Sequence, residues 1–145
     1  MNHPIEVIEL NNEELHYFKE VMRLLLKDFS DSKDKTEAFE TQYLQMRQCP
    51  QIRVFIFFLN GRPVGLYVGN IKITFFDSSL FVDCVVTAKS ARGVGVGKEM
   101  AIHMIEYARS YELDQVELMS SKPVAQNLYR AAGFACSSTG FRYKI

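Results

Sequence analysis

The run Arg92-Gly-Val-Gly-Val-Gly97-Lys98 is the segment whose residue types and spacing could do chemistry. Glycines at 93, 95 and 97 strip side chains from a loop, so main-chain N–H groups can approach an anion closely. A helix opening at Gly97 or Lys98 adds about half a positive charge at the same point, flanked by Arg92 and Lys98. That combination suits a pyrophosphate. Two other phosphate loops are excluded by counting. A Walker loop would need its first glycine at Arg92 and a hydroxyl at Glu99. A dinucleotide fingerprint starting at Gly93 would place its third glycine on Lys98.

Cys84 and His103 are the next pair to weigh, as a nucleophile and its base. Cys84 lies among apolar neighbours that would not depress a thiol pKa, so a covalent mechanism is not expected. The three cysteines, Cys49, Cys84 and Cys136, form no CxxC pair and stand far from His3, His16 and His103. No metal site or disulfide framework is expected, and a reducing cytoplasmic setting is.

The elements that must position the loop follow from periodicity. Residues 5–10 read as a strand. Asn11 with Glu14 has the spacing of a capping box, opening a helix whose apolar stripe includes Leu15, Phe18, Met22 and Leu25. An acidic loop at 28–34 carries Asp28, Asp31 and Asp34, and a second helix is expected over 37–47. Strands are expected at 53–59, 64–74 and 80–86, with Asn60-Gly61 as a hairpin turn and a second turn at Asp77-Ser78-Ser79. A helix over 98–110 buries Met100, Ala101, Met104, Ile105 and Ala108. A strand at 116–119 leads to a helix with Ser121 as cap, Pro123 in its first turn and Gly133 beyond its end. Strands at 134–136 and 141–145 close the chain. The expected fold is a single mixed α/β domain over residues 1–145. Its mostly antiparallel sheet has seven strands flanked by four helices, in the order β-α-α-β-β-β-α-β-α-β-β.

Length and composition agree with this. A chain of 145 residues, 48% hydrophobic and 23% charged, fills one ordinary globular domain. Seventeen basic residues balance seventeen acidic ones, so the basic excess of a nucleic-acid binder is missing. The longest apolar run is only 54–59, far short of the ~20 residues that span a bilayer. Neither nucleic acid nor a membrane is an expected partner. Acids outnumber bases ten to six up to Gln48 and bases outnumber acids eleven to seven after it, a split that is either incidental or suited to ligands of opposite charge.

Three segments together carry a resemblance: Val85-Val86 before the loop, Arg92-Gly-Val-Gly-Val-Gly97 within it, and Ala125-x-x-Leu-Tyr-x-x-x-Gly-Phe134 downstream. The pattern resembles the GNAT family of acetyl-CoA-dependent N-acetyltransferases, and the element order extends the likeness across most of the chain. The resemblance implies acetyl-CoA as co-substrate, with its pyrophosphate on Arg92, Gly93, Val94, Gly95, Val96, Gly97 and Lys98. It further implies that the pantetheine arm pairs with backbone groups of Val85, Val86 and Thr87, where this strand and 116–119 part.

Tyr129 matches the tyrosine that protonates the departing thiolate, although it also lies on its helix's apolar stripe. Asp83 is the candidate base, since the family commonly has an acid on this strand; an ordinary exposed strand aspartate is the other reading. By alternation Asp83 would share a face with Phe81 and Val85. At pH 7 an alkylammonium of pKa ~10.4 needs ~4.6 kcal/mol to lose its proton, so a base is useful. At the position of the family's usual cofactor-contacting Asn stands Lys122, and either Lys122 toward a phosphate or Ser120 or Ser121 in place of the amide would take over its role.

The implied acceptor is a primary amine, and Asp28, Asp31 and Asp34 read either as acids that attract a cationic one or as a solvated loop. A non-catalytic acyl-CoA-binding module is the alternative. The resemblance also implies a homodimer, with Phe55 to Phe58 and Phe75-Phe76 each reading equally as its interface or as core.

Overall fold

The computed structural model describes residues 5–10, 36–136 and 141–145. Its element order is β1 (Ile5–Glu9), α1 (Thr36–Met46), β2 (Ile52–Leu59), β3 (Arg62–Ile73), β4 (Ser78–Thr87), a 3-10 turn (Lys89–Ala91), α2 (Val96–Ser110), β5 (Gln115–Leu118) and α3 (Pro123–Ala131). The five strands form one sheet in chain order. The first four pair antiparallel and β5 joins β4 in parallel.

The β2–β3 hairpin forms where Asn60-Gly61 supplies two residues of positive φ, +53° and +74°. That pair of left-handed residues matches the right-handed twist of the flanking strands. Two residues later Pro63, which has no N–H to give a ladder, sits beside a bulge at Phe57/Phe58. The second turn comes earlier than expected. Thr74 and Asp77 close it through the Thr74 amide and hydroxyl, so β4 already begins at Ser78.

Residues 54–58 of β2 are all buried, which requires cover on both faces. Phe55 packs against Tyr67 at a tilt and edge-on against His103 and Tyr107 on the α2 side. The run Phe55 to Phe58 is therefore core, and the expectation that it forms an interface is set aside. The stripe of α2 buries Val96, Met100, Ala101, Met104 and Ala108, close to the periodicity read from the sequence. Gly65 lets this helix lie near β3, because a Cβ there would meet Val96 Cγ1 at 2.8 Å and Met100 Sδ at 3.2 Å.

Among the described residues the sheet has five strands and the α-helices number three, not seven and four. The expected helix from Asn11 and the acidic loop at 28–34 lie outside the described residues. Residues 134–136 and 141–145 are described and are not strands. The Phe134 amide is spent on the end of α3, where it donates to Tyr129 O, and Phe141, Tyr143 and Ile145 are fully exposed with no ladder partner. A β-branched and aromatic composition makes a strand only when an edge supplies the other half of each hydrogen bond. No helix among the described residues is long and apolar enough to cross a membrane.

The close approach at Gly65 yields a test. Gly65→Val is expected to lower the unfolding free energy by about 1–3 kcal/mol through overpacking against Val96 and Met100. Urea denaturation measures it.

Candidate functional site

β4 carries one residue more than β3 can match. Val68 pairs with Cys84 and the next residue, Gly69, pairs with Val82, so Asp83 is the extra residue of a β-bulge. The strict alternation expected for Asp83 does not hold across such a bulge. Asp83 remains exposed at its surface, yet burial of its carboxyl pushes its pKa above the ordinary aspartate value.

The same point ends the pairing on the other side. The β4–β5 ladder has four pairs, the last being Val82 with Leu118. Beyond it β4 runs on through Val85, Val86 and Thr87, held by Tyr67, Leu66 and Gly65 of β3. Its second edge has no strand beside it among the described residues. The parallel ladder thus ends beside the bulge, where β5 itself ends.

From Thr87 the chain passes through the 3-10 turn, which buries Ala91, into Arg92-Gly-Val-Gly-Val. Gly93 and Gly95 take φ of +85° and +89°, a left-handed backbone that side chains other than glycine rarely adopt. Nothing lies within 4 Å of where their Cβ atoms would stand. Their task is therefore conformational, and the space above the loop is open. Gly95 is the N-cap of α2, and no side chain caps it. The first amides of a fifteen-residue helix thus have no side-chain acceptor among the described residues.

Gly97 differs from the other two. A Cβ there would meet Leu128 Cδ1 at 2.7 Å, so this glycine lets α2 and α3 pack closely. Arg92, Val94 and Lys98 are exposed around the loop, whereas Val96 is buried.

α3 starts with Pro123 in its first turn and Lys122 at the N-cap, with no side-chain cap. Ser121 does not cap it as expected; the Gln126 side chain donates instead to Ser120 O at 2.7 Å. Its C-terminus is a Schellman motif: Gly133, at φ +101°, donates to Arg130 O, and Phe134 donates to Tyr129 O at 2.9 Å. The motif's apolar contact is the edge-on packing of Phe134 on Tyr129, 5.6 Å between centroids. The spacing Tyr-x-x-x-Gly-Phe is thus a device that fixes the tyrosine at the helix end. Tyr129 is 8% exposed, and burial raises its pKa above that of a free phenol. Its hydroxyl makes no hydrogen bond to another described residue.

The remaining chemical groups are committed elsewhere. Burial, with a smaller contribution from the Asp83 charge, pushes the Cys84 thiol up to about 11, which keeps it protonated at neutral pH. His103 Nδ1 is hydrogen-bonded to the Tyr67 hydroxyl at 2.6 Å. The Tyr107 hydroxyl donates to Glu9, which also pairs with Arg53 at 3.3 Å. Spacing alone does not show this aromatic network, because Tyr67 and His103 meet only when α2 lies on the sheet. A cavity of about 550 Å³ lined by Glu9, Tyr43, Met46, Arg47 and Arg53 lies at the end of the sheet away from the glycine loop. Among the described residues no cluster of three or more His, Cys, Asp or Glu is placed to hold a metal ion.

The glycine geometry and the buried histidine give two expectations. Gly95→Ala is expected to cost about 1–2 kcal/mol of stability from its left-handed φ alone, read by urea denaturation. Burial lowers the His103 pKa in the folded state, outweighing the opposite pull of Glu106 and Glu9. The unfolded chain therefore takes up the proton first. Stability is retained above about pH 6.5 and falls as the pH drops below it, so melting temperatures from pH 8 to 5 should decline less in His103→Gln than in the wild type.

The family model described as Acetyltransferase (GNAT) family matches residues 18–134. A GNAT family acetyltransferase of Staphylococcus aureus subsp. aureus USA300_TCH1516 superposes with a TM-score of 0.80 at 12% identity, covering 97% of this chain and 98% of that one. A Trypanosoma brucei acetyltransferase gives 0.76 at 23% identity, covering 98% of this chain and all of the other. AAC(6')-Iy in complex with a bisubstrate analogue, CoA-S-monomethyl-acetylneamine, gives 0.77 at 15% identity, with 98% of each chain covered. These structural likenesses carry the fold. No curated protein sequence matches the chain.

Proposed function

The chain belongs to the GNAT acetyltransferase family, and on that premise we propose that it moves an acetyl group from acetyl-CoA to a primary amine of a small molecule or peptide. The observation that carries this reading is the parting of β4 from β5 at Asp83, next to an uncapped helix entered through two left-handed glycines. That geometry fits a long ligand with an amide-bearing arm and a diphosphate.

The diphosphate is assigned to the main-chain amides of Gly93, Val94, Gly95, Val96, Gly97 and Lys98, with the Arg92 and Lys98 side chains contributing charge. Open space beside Gly93 and Gly95 supports this assignment. The pantetheine amides are assigned to the free edge of β4 at Val85, Val86 and Thr87, as an added strand. AAC(6')-Iy is described in complex with CoA and with a CoA–neamine bisubstrate analogue, and a soil-metagenome aminoglycoside acetyltransferase with sisomicin, which supports a cationic small-molecule amine as acceptor. The free thiols Cys49, Cys84 and Cys136 suit a reducing cytoplasm.

Bound acetyl-CoA supplies the activated acyl carbon and a thiolate leaving group. Asp83, beside the parting strands, accepts the ammonium proton directly or through water, and the freed amine lone pair attacks the thioester carbon. The raised Asp83 pKa makes it a stronger base than an ordinary carboxylate. As the C–S bond breaks, the Tyr129 hydroxyl donates its proton to the sulfur, and the second proton lost by the acylated nitrogen restores the phenol through solvent. A phenol kept neutral by burial is available for this throughout the neutral range.

Tyr129→Phe is expected to lower kcat by about 10²–10⁴-fold with little change in CoA affinity. Asp83→Asn should remove the acidic limb of the kcat/KM pH profile, a limb shifted upward from that of an ordinary aspartate because burial raises this pKa. CoA at a hundred times its Kd should add about 2.7 kcal/mol of stability by thermal shift. Stabilisation by CoA with no turnover of any amine would instead identify a non-catalytic acyl-CoA-binding module.

A further inference from the structure

Between the end of β5 and the start of α3 the chain has little to hold it. Of residues 119–124 Ser120 alone is half-buried, and Met119 and Val124 are 68% and 83% exposed. Burial of apolar surface therefore does not set the path of this crossing. α3 is a nine-residue helix with no side-chain cap, and its packing on α2, Leu128 against Gly97, is apolar and gives little direction. Yet this helix carries Tyr129, and a reacting group about 1 Å out of place can cost a hundredfold in rate.

Gln126 supplies the direction. Its amide makes the first hydrogen bond of the helix, to Lys122 O at 3.0 Å. Side chains on a helix lean toward its N-terminus, so the long Gln126 side chain lies back over the first turn. There its Nε2 donates to Ser120 O at 2.7 Å, six residues earlier. Ser120 stands two residues past Leu118, the last residue of β5 to pair with β4. One residue thus ties the helix to the strand end that it left. Gln126 and Tyr129, three apart, lie on the same side of α3. The residue type is selective: a carbonyl needs a donor, which an ionised glutamate lacks, asparagine is one methylene shorter, and methionine has the length without the N–H.

We propose that Gln126 is a positioning residue: by clamping the Ser120 carbonyl it fixes α3 against the end of β5, and so aims the Tyr129 hydroxyl at the departing sulfur. This role rests on acetyl transfer with Tyr129 as the proton donor. Gln126 itself touches neither acetyl-CoA nor the amine. The diphosphate and the pantetheine arm are assigned to main chain at 93–98 and 85–87, which the clamp does not hold. Its loss should therefore appear in kcat and not in CoA affinity.

Gln126→Met should lower kcat by about 10–100-fold, while the Kd for CoA from isothermal titration stays within about twofold of the wild type. An effect exerted through Tyr129 must vanish once the hydroxyl is gone. Gln126→Met in a Tyr129→Phe background should therefore leave kcat within about twofold of Tyr129→Phe alone. Gln126→Lys, which keeps an N–H donor on a chain of similar reach, should retain most of the wild-type kcat. In NMR spectra of protein with isotope-labelled tyrosine rings, Tyr129→Phe identifies the Tyr129 signal, and Gln126→Met should shift that signal while leaving that of Tyr67 in place. An unchanged kcat in Gln126→Met, equal losses from it in both backgrounds, an equal loss in Gln126→Lys, an unmoved Tyr129 signal, or a Gln126→Met chain that no longer binds CoA would each overturn the proposal and leave the acetyl-transfer reading standing. A Tyr129→Phe chain as active as the wild type would instead overturn that reading, and the positioning role with it.

Discussion

The parallel ladder between β4 and β5 stops at its fourth pair, and the proposed site depends on that stop. A strand interior to a sheet spends its amides and carbonyls on two neighbours. Past Asp83 β4 spends them on one among the described residues, because the bulge gives it an extra residue against β3 while β5 ends at Leu118. The strand is held rigid by β3 and still presents a row of hydrogen-bonding groups. That row leads through a short 3-10 turn to the open end of α2, so one continuous stretch of main chain can serve both an amide-bearing arm and a diphosphate. Main-chain groups cost little to preorganise, since their directions are set by the sheet and the helix themselves.

Glycine is used in this stretch for two different reasons. Gly93 and Gly95 give the backbone a handedness that side chains resist, with open space where a Cβ would be. Gly65 and Gly97 have ordinary backbones and are small because a helix must come close, α2 to β3 in one case and α3 to α2 in the other. The second pair sets where the first pair sits. Tyr129 is placed by the same logic, since the Schellman end of α3 and the Phe134 ring hold it with no polar partner for its hydroxyl among the described residues.

Much of this was legible in the residues. The spacing of glycines 93, 95 and 97 before an apolar stripe marked the helix start, and Asn60-Gly61 marked the hairpin. Gly133 marked the end of α3, although the part played by Phe134 in that ending was not visible. The bulge at Asp83 was hidden, because it depends on the register of β3 against β4 and not on any residue of β4 alone. Phe55 to Phe58 read equally as core or interface until both faces of β2 were seen covered. The strands expected at 134–136 and 141–145 failed for a related reason, since composition describes one edge and a ladder needs two. The loop glycines could be named from spacing; the roles of Tyr129 and of the β4 edge at 85–87 entered only as what the family resemblance implies, and the bulge beside that edge was not visible.

Amide hydrogen exchange with and without CoA tests the central claim most directly. The account predicts slowed exchange confined to the main chain of residues 85–87 and 93–98, with β2 and the Arg53 end of the sheet unchanged. Protection appearing around Glu9, Arg47 and Arg53 while the 93–98 amides exchange as before would contradict it.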